Sequence, residues 1–125
     1  MSGYSVLLIV MLLNIKHYIV EFLPPTREQY KYRGVFGHPM GFIHPFMHGL
    51  VSYIILGIIF DYLNYIVILV CLGEAVTHYT IDYKEGCAIK IANKQLNARV
   101  CIQRLRGLDQ LLHNVTYLIM IYFLL

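Results

Sequence analysis

Residues 41–83 read GFIHPFMHGLVSYIILGIIFDYLNYIVILVCLGEAVTHYTIDY, and this stretch decides the fold. It holds two apolar runs, each near the roughly 20 residues a helix needs to cross the hydrocarbon core of a bilayer. Between them Asp61-Tyr62-Leu63-Asn64 is a short polar turn, which leaves room only for an antiparallel return. The spacing predicts a transmembrane hairpin with spans over about 41–63 and 64–83. Working outward, residues 4–23 form another such run, ended by Pro24-Pro25, which cannot continue a helix without strain. Residues 108–125 form the fourth. The expected fold is all-α: a single integral membrane domain over 1–125, built as a four-helix transmembrane bundle.

Composition agrees. Of 125 residues, 58% are hydrophobic and 14% charged, and the mean hydropathy is +0.61. A soluble domain carries about 25% charge, and the apolar excess here is more than one small core can hide. A soluble enzyme, a disordered tail and a disulfide-rich secreted module are excluded. No basic face on a soluble scaffold is present, so nucleic acid is excluded and the lipid bilayer is the expected partner. Residues 4–23 lack a basic leader and a small-residue cleavage site, and they hold Lys16, His17 and Glu21, so they read as a mature helix rather than a signal peptide. Asn114-Val115-Thr116 matches a glycosylation sequon but falls inside a span and is discounted.

Cations set the expected orientation. Arg27, Lys31 and Arg33 lie in residues 24–40, and Lys84, Lys90, Lys94, Arg99, Arg104 and Arg106 in residues 84–106. Four spans put these two loops on one side, where they hold nine of the ten Lys and Arg. Positive residues stay in the cytoplasm, so both termini are expected to face outward. In residues 84–106 apolar positions recur among cations at helical spacing, which fits an amphipathic helix on the inner leaflet between the third and fourth spans or, equally, a solvated basic loop. Cys71, Cys87 and Cys101 have no zinc-like spacing, and structural disulfides are not expected.

Five of the six histidines follow one pattern. His17 precedes Glu21 by four residues, His44 precedes His48, His78 precedes Asp82, and Asp109 precedes His113. Each helix contributes one pair at i and i+4, so both members share a face about 6 Å apart along the axis. With the charge-derived topology, all four pairs fall at one depth in the inner half of the membrane. Ionisable groups inside spans cost about 2.5–3.5 kcal/mol each at the helix centre, so they face inward and pair. Eight nitrogen and oxygen donors exceed the four of a structural zinc site and suit two divalent transition metals (zinc, manganese or iron) sharing carboxylates, as in carboxylate-bridged bundles. Two divalent ions bring +4 against −3 from Glu21, Asp82 and Asp109, and one hydroxide would complete neutrality. Some of the eight are expected to orient the others rather than ligate.

Glu74 lies one turn deeper on the His78 face. It reads either as a catalytic general acid or base (or a further ligand), or as an internal partner of Thr77, Asn14 or a histidine. His38, before Pro39, is expected to be ordinary, and the eleven tyrosines fit interfacial belts.

These blocks resemble a family of small multi-pass membrane proteins of bacteria and phages, of uncharacterised function. Its pattern is His-x-x-x-Asp-Phe, His-x-x-x-His-Gly, His-x-x-x-Asp-Tyr and Asp-Gln-x-x-His. The matches here are His17 to Phe22, His44 to Gly49, His78 to Tyr83 and Asp109 to His113, covering nearly the whole chain. The first block departs from the pattern: Glu21 stands in place of Asp, and Pro25 where a Gln usually follows. The resemblance implies a bacterial or phage membrane origin and supplies no reaction. By analogy alone, some neighbouring families with His and Asp motifs carry the label of metal-dependent hydrolases.

The leading expectation is a membrane-embedded metal-dependent hydrolase acting on an amphiphile, a lipid phosphate or an ester. Arg27, Arg33, Lys84 or Arg106 would hold a phosphate nearby. The alternatives are a di-iron membrane oxidase or hydroxylase, divalent-cation binding or transport, and a structural metal. Association with further copies or with larger membrane assemblies stays open.

Overall fold

The hairpin turns where its polar residues stand. The computed structural model describes residues 2–22 and 31–125. Four helices follow in order: α1 (Gly3–Phe22), α2 (Pro39–Phe60), α3 (Tyr65–Ala92) and α4 (Ala98–Leu124). After α2, Asp61 adopts a φ of 103°, in the left-handed region, while its N–H still reaches the Gly57 carbonyl at 3.0 Å. Its Oδ1 accepts from the Leu63 N–H at 3.1 Å. Asn64 then caps α3, its Oδ1 accepting from the Ile66 N–H at 3.0 Å. At the other end of α2, His38 Nδ1 accepts from the Met40 N–H at 3.2 Å, and its ring stacks on Tyr32. The sixth histidine is thus a helix cap. Leu23, the Pro24-Pro25 stop and Arg27 lie outside the described residues.

Each helix packs on its neighbours in the chain, and α1 packs on α4, so the four close into a ring. α1, α2 and α3 are long and apolar enough to cross a membrane, and the chain is read as a membrane protein. α4 falls short of that measure because Asp109, Gln110, His113 and Asn114 crowd its middle. Its later residues Leu118, Ile119, Tyr122 and Phe123 still present an apolar outer face.

Residues 84–106 correct an expectation. Neither a separate interfacial helix nor a loop occupies them: α3 runs on to Ala92 and α4 begins at Ala98, joined by a short turn. No proline interrupts the helical periodicity there, so the backbone bonds of each helix propagate about three turns beyond the expected span. Gly86 allows the loop between α1 and α2 to lie against this extension. A Cβ on Gly86 would stand 2.7 Å from the Gly34 nitrogen and 2.8 Å from its Cα. Gly86→Ala is therefore expected to destabilise by about 1–3 kcal/mol through overpacking. Gly73→Ala, where a Cβ meets nothing within 4 Å, is expected to gain up to about 1 kcal/mol. Denaturant unfolding in detergent micelles checks the pair, and equal effects would refute the close approach.

The interior divides in two. Toward the termini it is apolar, made by Ile9, Leu13, Leu56, Val67, Cys71, Tyr117, Met120 and Ile121. Toward the two loops it is polar, with His17, Glu21, His44, His48, His78, Asp82, Glu85, Asp109 and His113 all buried. The three cysteines are free.

Candidate metal centre

The i and i+4 spacing turns each pair inward, and the four helices bring the pairs to one end of the bundle. Seven of the eight expected ligands fall into three neighbouring groups of donor atoms, each group mutually within 4.8 Å: Glu21, His44, His48 and His78; then His78, Asp82 and His113; then Asp82, Glu85 and Asp109. His78 and Asp82 are each shared by two groups. These buried clusters could hold metal ions.

The first group is the most telling. His44 Nε2 stands 2.8 Å from Glu21 Oε2 and 3.2 Å from His48 Nε2, and His48 Nε2 stands 3.5 Å from the same carboxylate oxygen. The three atoms make a triangle. One proton on His44 satisfies only the edge to Glu21, and a second on His48 would turn two N–H groups toward each other across the remaining edge. Two ligands on a tetrahedral ion at about 2.0–2.1 Å are separated by about 3.3 Å, close to all three edges.

The second group repeats the geometry. His78 Nε2 is 3.1 Å from Asp82 Oδ2, while His113 Nε2 is 3.5 Å from Asp82 Oδ1 and 3.3 Å from Asp109 Oδ1. Yet both His78 nitrogens, His113 Nε2, Asp82 Oδ1 and Asp109 Oδ1 are buried without an aligned hydrogen bond. Such atoms approach one another without pointing at one another. Buried polar groups in this condition call for an unseen partner.

His17 differs from the other seven. Its ring lies 5.0–5.9 Å from those of His48, His78 and His113, centroid to centroid, but its nitrogens are taken. Gln110 decides the tautomer. Its amide donates to Asp109 Oδ2 at 3.2 Å, so its Oε1 accepts from His17 Nε2–H at 3.0 Å. His17 Nδ1 then accepts from the Tyr117 hydroxyl at 2.7 Å. Where ligation was expected, His17 instead holds Asp109 in place through Gln110.

Glu74 has an unexpected partner. It joins none of the three groups, and its partner is neither Thr77, Asn14 nor a histidine. Glu74 Oε1 accepts from the buried Lys16 ammonium, which also lies 3.5 Å from His48 Nδ1 and 4.7 Å from the Tyr117 ring centre. Among the described residues Glu74 Oε2 is buried without an aligned hydrogen bond.

Sequence reasoning missed Glu85 and the places that Lys16 and Arg33 take here. Glu85 belongs to the third group, and the spacing 74, 78, 82, 85 along one face of α3 was the signal for it. Lys16 was visible as a charge inside a span, opposite in sign to Glu74. Arg33 gave no periodic signal, because the loop between α1 and α2 carries it to Glu21 at 3.1 Å, Glu85 at 3.5 Å and Asp82 at 3.7 Å. Burial works against the Arg33 charge, but Asp82, Glu21 and Glu85 overcome it and hold the guanidinium above its ordinary range.

Charge counts the same way. Five enclosed carboxylates (Glu21, Glu74, Asp82, Glu85, Asp109) face two cations, Lys16 and Arg33. Five minus two leaves three negative charges in a low-dielectric interior, a balance that bound cations or protons must redress. Set against known proteins, the chain matches no protein-family model, no curated protein and no solved structure, so its function has to be read from this site.

Proposed function

We propose that the protein is a membrane-embedded metal-dependent hydrolase acting on an amphiphilic substrate, a lipid phosphate or ester. In this reading two divalent transition-metal ions are held by Glu21, His44, His48 and His78 on one side and by Asp82, His113 and Asp109 on the other. The observation that carries it is the Glu21–His44–His48 triangle with edges of 2.8, 3.2 and 3.5 Å. A cation serves all three edges, and a proton serves one. When bound, such a pair of ions lowers the pKa of water and stabilises charge on the attacking and leaving oxygens.

The remaining work falls to the chain. Gln110 and His17 fix the Asp109 carboxylate, and Arg33 keeps Glu21, Asp82 and Glu85 together at the loop end. Lys16 offsets Glu74 on the deeper side. The apolar residues toward the termini close that side to water. The Lys and Arg bias supports a site at the cytoplasmic face with both termini outside, and the motif resemblance supports a bacterial inner membrane.

Purified protein is expected to contain stoichiometric zinc, manganese or iron, and to release alcohol from a phosphate or carboxylic ester of a long-chain alcohol. A chelator should abolish the release and readdition of the metal restore it. Protein without transition metal would reduce the site to a hydrogen-bonded network. Stoichiometric iron with oxygen consumption and no hydrolysis would favour an oxidase, a reading open to a bundle in which Asp82 offers one oxygen to His78 and the other to His113. For the orientation, a reporter fused after Leu125 is expected to be active only outside the cytoplasm. Activity inside would reverse the topology.

A further inference from the structure

A cavity of about 670 Å³ opens at the loop end of the bundle, against the donor groups. Its floor carries the carboxylates of Glu21, Glu85 and Asp109, all members of those groups. Lys31, Lys90 and Arg106 line it as well, and all three are exposed. Among the described residues the Lys and Arg ion pairs use only Lys16 and Arg33. Arg33 lines the cavity too and pairs with Glu21 and Glu85, so Lys31, Lys90 and Arg106 stand around a floor already partly neutralised, with no carboxylate of their own among the described residues. Phe22 and Ile89 also line the cavity and give it an apolar flank.

We infer that this cavity takes the phosphoryl group of an amphiphilic phosphate monoester, with Lys31, Lys90 and Arg106 on its oxygens and the apolar tail along Phe22 and Ile89. The inference rests on the hydrolase reading and narrows its substrate. An uncharged carboxylic ester has no use for three cations, whereas a phosphate dianion presents three equatorial oxygens, and a guanidinium can bind two of them at once. Cations filling the donor groups would neutralise the floor, leaving the rim cations to face the substrate alone. The reaction balances with water as the only co-reactant. A water oxygen bonds to phosphorus and the ester P–O bond breaks. One water proton ends on the leaving alkoxide, giving the free alcohol, and the other stays on inorganic phosphate.

Calorimetric titration of the full chain in dodecylmaltoside micelles tests this with dodecyl phosphate, inorganic phosphate and dodecyl acetate as probes. Dodecyl phosphate is expected to bind about ten- to a hundredfold more tightly to the wild type than to the triple variant Lys31→Gln/Lys90→Gln/Arg106→Gln, from the loss of three charge-assisted contacts at exposed positions. Raising the salt should narrow that gap. Dodecyl acetate should not bind. Equal affinity of the triple variant for dodecyl phosphate, or dodecyl acetate binding as tightly, overturns the inference. Inorganic phosphate binding as tightly as dodecyl phosphate assigns the cavity to free phosphate and overturns the headgroup.

Metal content and circular dichroism separate this failure from failure of the hydrolase reading. The triple variant should keep wild-type metal and helix content, because none of its three residues belongs to a donor group. Wild-type protein lacking metal overturns the hydrolase, while phosphate binding that still depends on the three cations keeps the cavity's assignment.

Discussion

Replacing His78 with alanine is expected to strip the protein of most of its metal. His78 belongs to both the first and second donor groups, and neither ring nitrogen has an aligned partner among the described residues. Loss of an orienting residue around a metal costs about 10–100-fold in affinity, so loss of a residue that the proposed hydrolase reading makes a ligand should weaken binding by more than about 100-fold. The readout is metal content per chain after gel filtration, with the absorption of cobalt-substituted protein as a second measure of ligation.

Stability should follow. Metal bound at 100 times its dissociation constant contributes about 2.7 kcal/mol, so wild type and His78→Ala are expected to differ in unfolding midpoint with metal present and to converge toward each other in chelator. His38→Ala is the control. It removes the α2 cap, worth about 1 kcal/mol, from a position outside the donor groups, and should leave the metal content unchanged. Equal metal content in wild type and His78→Ala would remove the two-centre assignment.

How far the sequence carried can be judged from individual residues. The i and i+4 pairs were legible because helical geometry is local: once His44 and His48 are on one helix, their shared face follows. The common depth was legible because each pair could be placed against the nearest polar turn or cation run. Glu85 was legible in principle but sits three residues from Asp82, off the four-residue spacing. His17 and Arg33 were not. The role of His17 depends on Gln110 and Tyr117 from α4, and which nitrogen meets which partner is a tertiary matter. Arg33 sits in a loop whose path is set by the contact between Gly34 and Gly86, and no periodicity encodes that contact. The length of α3 was misjudged for a different reason. Lys84, Glu85 and Lys90 mark the expected edge of the bilayer, but a helix need not end where the membrane does.

Lys16→Met is expected to be among the most damaging single changes in the chain. Both side chains of the Lys16–Glu74 pair are 1% exposed, and methionine replaces the lysine stem at similar volume while leaving Glu74 enclosed without its cation. Breaking a buried pair by removing one partner costs about 3–5 kcal/mol. Glu74→Leu alone should cost a comparable amount by leaving the buried ammonium with no counter-charge, only the His48 ring nitrogen and carbonyl at 3.5 Å and the Tyr117 ring. The double variant Lys16→Met/Glu74→Leu should recover most of the loss, since it removes both desolvation penalties together and supplies apolar side chains to a largely apolar layer. Thermal unfolding of the four proteins in one detergent gives the cycle directly. If the double variant is as unstable as either single variant, mutual neutralisation does not explain the pair. A double variant that regains stability but binds metal less tightly would assign the pair a different task. Lys16, whose ammonium also reaches the His48 carbonyl at 3.5 Å, would then be fixing the α2 backbone that carries a ligand, and the buried charges would serve the site above them rather than the fold.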